Sequence, residues 1–240
     1  MNHNKFKIFV DFDGTITKDD VGEMLFIKFC NSEFAKKLID DWNNDLVDPK
    51  FGWRSLCESV EFVNETEVKN FLEQIEIDPT FKEFIHYCNS NEFEMKIISD
   101  GFNYYINTIL AKENISGIEV SSNELKIENN KFIPFFPNSP SDCTCSANCK
   151  RNYVLENSSD EEYSVYIGDG VSDRCPILYC DFIFAKDSLL KYCEVNRITY
   201  FPYNNFNDII KKLDELKIKK RLKKRHQALL KRKEIYMQEA

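Results

Sequence analysis

The chain has 240 residues, 42% of them hydrophobic, and a net charge of −8, enough apolar material for one main domain carrying an insertion or a small second domain. No apolar run approaches the roughly 18 residues that a bilayer span requires, and the opening MNHNKFK lacks the apolar stretch of a secretory signal. Nine cysteines, an odd number without such a signal, argue against a secreted disulfide scaffold, so the expectation is a cytoplasmic protein with reduced thiols.

Charge is unevenly spread. Residues 211 to 240 carry 12 Lys and Arg against 4 Asp and Glu, so the tail is +8 and the rest of the chain −16. An acidic body repels phosphate-bearing ligands, and any phosphate site within it needs local positive charge.

Taken in chain order, KIFV at residues 7 to 10 reads as a central parallel strand, ended sharply by Gly14-Thr15. Asp11 and Asp13 stand at its C-terminal end, where open α/β sheets bind ligands. Two acids this close repel when both are ionised, unless a cation or a shared proton relieves them. From residue 20 to 76, Val21, Met24 and Leu25, then Phe34, Leu38 and Trp42, then Trp53, Leu56, Cys57 and Val60, then Val68, Phe71, Leu72 and Ile75 recur at helical spacing, predicting an all-helical module. Asp78-Pro79 predicts a helix start, with Phe81, Phe84, Ile85 and Cys88 on one face.

Beyond it the chain alternates as β and α: MKIIS, a helix through Phe102 to Ile109, a hairpin turning at Asn129-Asn130, a helix after Lys150, the strand YSVYI, a helix at PILYC, and the strands DFIFA and RITYF. The predicted fold is α/β, a doubly wound, Rossmann-like parallel sheet with an inserted helical cap. Residues 1–17 and 78–206 would form the core, 18–77 the cap, and 207–240 a basic C-terminal helix. The tail docks by its first turns, through Ile209, Leu213 and Leu216, and continues as a solvated helix; association with RNA or a membrane is the alternative.

The chemistry-bearing residues fall at strand ends. Asp169, in IGDGVSD, follows a second β-rich run and joins Asp11 and Asp13 as a third carboxylate, a set of hard oxygen ligands that suits Mg²⁺. With the metal screening an anionic phosphate, Asp11 could attack phosphorus and Asp13 could protonate the leaving oxygen, then activate water. Ser99 and the Asp100-Gly101 turn end another strand and offer hydroxyl and amide donors to a phosphate. Lys150, rivalled by Arg151, supplies the fixed cation. The loop CTCSANC places Cys143, Cys145 and Cys149 just before Lys150: either a reduced loop that positions the lysine, or three zinc ligands with a fourth from Cys175 or elsewhere.

DFDGT, a Ser after a second strand, a Lys before a helix, and GDGVSD resemble, in order, the four motifs of the haloacid dehalogenase (HAD) superfamily, over residues 7 to about 201. The resemblance implies that Asp11 is the nucleophile, Asp13 the acid/base, and Ser99 and Lys150 phosphate binders. It also implies that Asp169 binds metal with Asp11 and the Asp13 carbonyl, while Asp173 plays an outer role; Ser172 departs from the Asn that many members have before that Asp. Haloalkanoate dehalogenases lack an Asp at the position of Asp13 and transport ATPases read DKTGT, so Asp13 favours a phosphatase.

The insertion looks like the type 1 cap of phosphoserine phosphatase relatives, subfamily IB. ISDGF, CSANCKR and GDGVSDRCP are similar to phosphoethanolamine/phosphocholine and pyridoxal phosphate phosphatases, whereas FAKDSLLKYC, ITYFPYNNF and Asp20 resemble the methylthio-ketopentenyl phosphate phosphatase of methionine salvage. Asp20 resembles a Glu that faces the substrate amine in phosphoserine phosphatases, Arg54 resembles a cap arginine of the same enzymes, and Asp100 would add a negative group in contact with the substrate; on residue chemistry alone, Asp20 could equally cap a helix, Arg54 be a solvated residue, and Asp100 a turn former. The implied activity is Mg²⁺-dependent hydrolysis of a small phosphorylated metabolite through an aspartyl phosphate, with neither nucleic acid nor membrane as partner. A phosphotransferase, or a catalytically weak relative whose tail binds RNA or membrane, is the alternative.

Overall fold

The computed structural model describes residues 4–140, 143–159 and 161–238; Met1–His3, Ser141–Asp142, Asp160 and Glu239–Ala240 lie outside the described residues. Seven strands, β1 (Phe6–Val10), β2 (Glu94–Phe102), β3 (Glu119–Glu128), β4 (Lys131–Phe135), β5 (Tyr163–Gly168), β6 (Phe182–Ala185) and β7 (Phe201–Pro202), form a sheet in the order β4-β3-β2-β1-β5-β6-β7. Contacts within the chain define two compact units: Met1–Asp11 with Asp78–Ile97 and Lys150–Ala240, and Phe12–Ile77 with Ile98–Cys149.

In the first unit β1 pairs in parallel on both sides, Val10 opposite Ile97 and Ile167. Ile8, Phe9 and Val10 are wholly buried, as a strand covered on both faces requires. β5 to β6 and β6 to β7 are also parallel. This is the predicted α/β sheet.

Four local readings shift. β2 runs on through Phe102, so Ser99 and the Asp100-Gly101 pair expected as a turn lie inside the strand, and the helix begins after Phe102. The helix expected from Asp78-Pro79 begins later, as α5 (Phe81–Ser90), because the Asp78 carboxylate accepts from the amide (2.8 Å) and hydroxyl (2.6 Å) of Thr80, closing a turn that leaves Thr80 as N-cap. PILYC forms only a 3₁₀ turn at Pro176–Tyr179. RITYF contributes just its last residue, Phe201, which with Pro202 forms β7 at an edge where proline's missing N–H is tolerated.

The tail forms two helices, α9 (Phe206–Lys217) and α10 (His226–Gln238). α9 docks on α5 through Phe206, whose ring centroid lies 4.9 Å from Phe81 and 5.1 Å from Phe84. α10, expected to be solvated, packs on the 3₁₀ turn and buries Arg232, which donates to the Tyr179 carbonyl (2.7 Å) and pairs with Asp181 (3.0 Å). Asp181 also accepts from the Ser164 amide and hydroxyl, so the buried charge pair is held at several points.

The second unit holds the helical module: α1 (Val21–Phe29), α2 (Ser32–Asn43), α3 (Pro49–Ser59) and α4 (Glu65–Leu72). Asp20, Asn31, Asp48 and Asn64 each accept amide hydrogen bonds at the four N-termini. Leu25, Phe26, Leu38, Ile39, Trp53 and Leu56 are buried, while Met24 and Phe34 from the expected apolar faces are more than a third exposed. The Trp53 ring meets Trp42 and Phe102 edge-on at 4.8 Å, contacts that add about 0.5–1.5 kcal/mol each beyond burial. An antiparallel bridge between Thr17 and Ile77 ties the start of the module to its end.

α6 (Asn103–Lys112) follows β2. The predicted hairpin joins β3 to β4, with Asn129 (φ 50°) and Asn130 (φ 59°) in the left-handed region that two-residue hairpin turns use. Among the described residues no helix is long and apolar enough to cross a membrane.

Candidate active site

The first unit gathers three acids around one lysine. β1 delivers Asp11, whose amide extends the ladder to the Ile167 carbonyl at 2.9 Å; β5 ends just before Asp169; and α7 (Lys150–Glu156) begins with Lys150. The wholly buried Lys150 ammonium lies 2.8 Å from Asp11 Oδ2, 2.8 Å from Asp173 Oδ1 and 2.9 Å from Ser172 Oγ. Arg151, its rival on sequence grounds, instead bonds the neighbouring Asn152 side chain.

Asp173 is saturated. Besides Lys150 it accepts from the Tyr166 hydroxyl (2.7 Å) and from the Asp169 and Gly170 amides (3.0 Å each), which closes the loop that presents Asp169. That closure needs Gly168, because a Cβ there would come within 2.3 Å of Asp173 Oδ2.

One ligand oxygen each from Asp11, Asp169 and Asp173 lies within 4.8 Å of the others. Burial, then the Asp173 charge, pushes the Asp11 carboxyl well above the usual carboxylate range, with Lys150 opposing. Asp173 moves the other way: burial alone would raise it, but Lys150 and the Tyr166 hydroxyl hold it low. Lys150 is held protonated by Asp11 and Asp173 against its own desolvation. Three carboxylates against one ammonium leave an excess of negative charge around hard oxygen donors. That donor set fits a divalent cation, with Asp173 already committed to the protein.

The second unit carries its own cluster. Asp13 Oδ2 accepts from the Ser99 hydroxyl (3.0 Å) and the Tyr105 hydroxyl (2.8 Å), and Oδ1 accepts from the Val21 amide (3.2 Å). The Gly101 amide donates to Ser99 Oγ at 2.8 Å. A Cβ on Gly101 would fall 1.6 Å from the Tyr105 oxygen and 2.7 Å from Asp13 Oδ2, so only glycine admits this approach. Burial and the Asp13 charge push the Tyr105 phenol well above its ordinary range, which keeps it a donor. Gly14, at φ 68°, supports the turn in which the Thr15, Ile16 and Thr17 amides all converge on the Phe12 carbonyl.

Asp100 accepts from the Asn148 amide (2.7 Å) through its side chain, and its carbonyl accepts from Trp53 Nε1 (3.0 Å) and Asn123 Nδ2 (2.5 Å). Asn148 in turn donates to the Ser99 carbonyl at 2.8 Å. Asp100 therefore fastens the loop that leads into Lys150. Asp20 is exposed and caps α1 through the Glu23 amide (2.8 Å), while the exposed Arg54 sits over the Phe136 ring at 5.3 Å.

Sequence reasoning missed Tyr105, Tyr166, Asn148 and Gly168. Both tyrosines read as core aromatics, and only their hydroxyl partners reveal them; Gly168 could have been singled out from its place in the G-D-G turn.

Residues 6–193 match the family described as Putative Phosphatase. The chain belongs to that family. This phosphatase is 28% identical over 214 residues, 88% of its own length and 96% of the relative's, to the 2-hydroxy-3-keto-5-methylthiopentenyl-1-phosphate phosphatase of Bacillus mycoides (strain KBAB4). Its fold is similar to that of a phosphoserine phosphatase solved as an analogue of the phospho-aspartyl intermediate, with TM-score 0.68, 16% identity, and coverage of 87% of this chain and 98% of that one. A phosphoserine phosphatase from T. onnurineus superposes with TM-score 0.67 at 15% identity, covering 89% and 96%. The HAD resemblance of the motifs, the family and the fold agree, and the chain is a HAD-type phosphatase.

Proposed function

We propose that the chain is a Mg²⁺-dependent phosphomonoesterase that hydrolyses a small phosphorylated metabolite through a phosphoryl group carried on Asp11. The observation that carries this reading is the buried Lys150 ammonium held 2.8 Å from both Asp11 and Asp173, beside Asp169. Burial and Asp173 drive the Asp11 carboxyl toward protonation and Lys150 opposes them, so a bound divalent cation would add the positive charge that the ionised nucleophile needs. Bound to Asp11, Asp169 and the Asp13 carbonyl, Mg²⁺ would supply charge neutralisation for the incoming phosphate.

Lys150 and the Ser99 hydroxyl bind phosphoryl oxygens in this reading, with the Gly101 amide orienting Ser99. Asp13, two residues after the nucleophile, gives a proton to the leaving oxygen through one carboxylate oxygen while Tyr105 holds the carboxylate in place and Ser99 turns its single O–H from Asp13 to the phosphoryl oxygen. Asp173 acts by orienting Lys150 and the Asp169 loop. Residues 18–77 form the cap in this reading, with Asp20 and Arg54 the candidate substrate-binding residues. The bacillus relatives named for a methylthiopentenyl phosphate and the phosphoserine phosphatase neighbours suggest small polar monoesters to try.

The test is steady-state hydrolysis of an aryl phosphate and of a panel containing phosphoserine, phosphocholine, phosphoethanolamine, pyridoxal phosphate and methionine-salvage intermediates, with and without Mg²⁺. Asp11→Asn is expected to abolish turnover with the fold intact. Undiminished phosphate release by that variant, or by wild type stripped of divalent ions, rejects the reading.

A further inference from the structure

Ser99 owes its place to a residue that no step of the proposed chemistry uses. Asn148 lies in the stretch 143–149, which forms neither helix nor strand, yet it is only 1% exposed. Each of its hydrogen-bonding groups is engaged. The amide donates to Asp100 Oδ1 (2.7 Å), and the carbonyl accepts from Ser146 Oγ (2.7 Å). Side-chain Nδ2 donates to the Ser99 carbonyl (2.8 Å) and to Ser121 Oγ (3.2 Å), while Oδ1 accepts from Asn138 Nδ2 (3.1 Å). Donors on one side and an acceptor on the other hold the side-chain amide in a single orientation.

The grip falls on two consecutive residues of β2. Asn148 takes the Ser99 carbonyl with its side chain and the Asp100 carboxylate with its backbone, and the Asp100 carbonyl accepts from Trp53 Nε1 (3.0 Å) and Asn123 Nδ2 (2.5 Å). One residue further on, the Gly101 amide donates to Ser99 Oγ (2.8 Å), and that hydroxyl lies 3.0 Å from Asp13 Oδ2. Ser99, Asp100, Asn123 and Asn148 are all buried, where each hydrogen bond is strengthened and an unpaired group is costly. An error of about 1 Å at a reacting group can cost on the order of a hundredfold in rate, so the residue that sets the Ser99 backbone sets the reach of its hydroxyl.

We propose that Asn148 is a positioning residue for the phosphatase reaction, acting through Ser99, whose backbone it clamps so that the hydroxyl stays within reach of a phosphoryl oxygen; Asp100 is the other half of the clamp. The inference rests on the reading of Ser99 as a phosphate binder. Asp13 keeps its own bonds from Tyr105 and the Val21 amide, so loss of the Asn148 side chain disturbs the phosphate contact and leaves the acid/base in place. Ser121 supports the clamp from behind, since its hydroxyl bonds both Nδ2 (3.2 Å) and Oδ1 (3.4 Å) of Asn148.

The experiment is a double-mutant cycle on kcat, measured on the full chain with an aryl phosphate, using wild type, Ser99→Ala, Asn148→Ala and the double variant. Each single change should lower kcat at least about tenfold. In the Ser99→Ala background, Asn148→Ala should change kcat by less than about twofold, because no hydroxyl is left for it to place. Ser121→Ala should lower kcat about threefold, again only while Ser99 is present, and it decides the matter if Asn148→Ala does not fold. Losses that multiply in the double variant, or a wild-type kcat in folded Asn148→Ala or in Ser121→Ala when that is the variant left to judge by, would overturn the proposal. An inactive wild-type enzyme, or full activity in Ser99→Ala, would instead reject the reading of Ser99 and this inference with it.

Discussion

The acid and lysine cluster of the first unit and the residues Asp20 and Arg54 of the second are held by opposite means. Lys150 is wholly buried and makes three polar contacts; Asp173 accepts four hydrogen bonds. Asp20 is exposed and capping its helix, and Arg54 rests on one aromatic ring. Groups proposed to do chemistry are thus fixed before any ligand arrives, as electrostatic preorganisation demands, whereas groups proposed to select a substrate stay loosely held and can change with little consequence for the fold.

The sharpest way to break that contrast is Lys150→Met. It leaves Asp11 and Asp173 buried without their counter-ion, and we expect a stability loss of about 3–5 kcal/mol by urea denaturation, with turnover down at least about a thousandfold. Added Mg²⁺ should restore part of the stability without restoring turnover. Wild-type stability in metal-free buffer would show that the lysine does not hold the cluster.

Arg232→Ala is the control for burial without catalysis. Removing the guanidinium strands Asp181, so a loss of about 3–5 kcal/mol is expected with kcat/KM of the folded protein nearly unchanged. A stability change within error would mean that α10 is not anchored there.

These two residues also show what the sequence reveals. Lys150 was singled out, with Arg151 as its rival, because it precedes an apolar helix in order with three other motifs; Arg232 was not, because it lies in a run of basic residues that reads as a solvated face. The parallel strands and the Asn129-Asn130 hairpin announce themselves as short apolar runs and left-handed turn formers. The start of α5 and the 3₁₀ turn at Pro176–Tyr179 depend on which local acceptor takes a given amide, and composition does not record that choice. Tyr105 and Tyr166 were hidden for a related reason, since an aromatic at helical or strand spacing looks the same whether or not its hydroxyl holds a carboxylate.

Tyr105→Phe tests the second cluster at finer grain. The ring still fills its place, and the lost bond to Asp13 should cost about 1 kcal/mol of stability and about tenfold in kcat, with KM little changed. An unaltered kcat would remove Tyr105 from the positioning of Asp13.

The smallest effect is expected at Asp20→Asn. Asparagine caps as well as aspartate, so stability should hold within about 0.5 kcal/mol while KM for a cationic substrate rises a few fold. An unchanged KM assigns Asp20 to the helix cap alone.

The account rests on a phosphoryl group passing through Asp11. Wild-type enzyme quenched in acid during turnover, reduced with borohydride and mapped by peptide mass spectrometry should carry homoserine at position 11, the reduction product of an aspartyl phosphate. Active enzyme that never yields homoserine there, or yields it at another aspartate, would contradict the account.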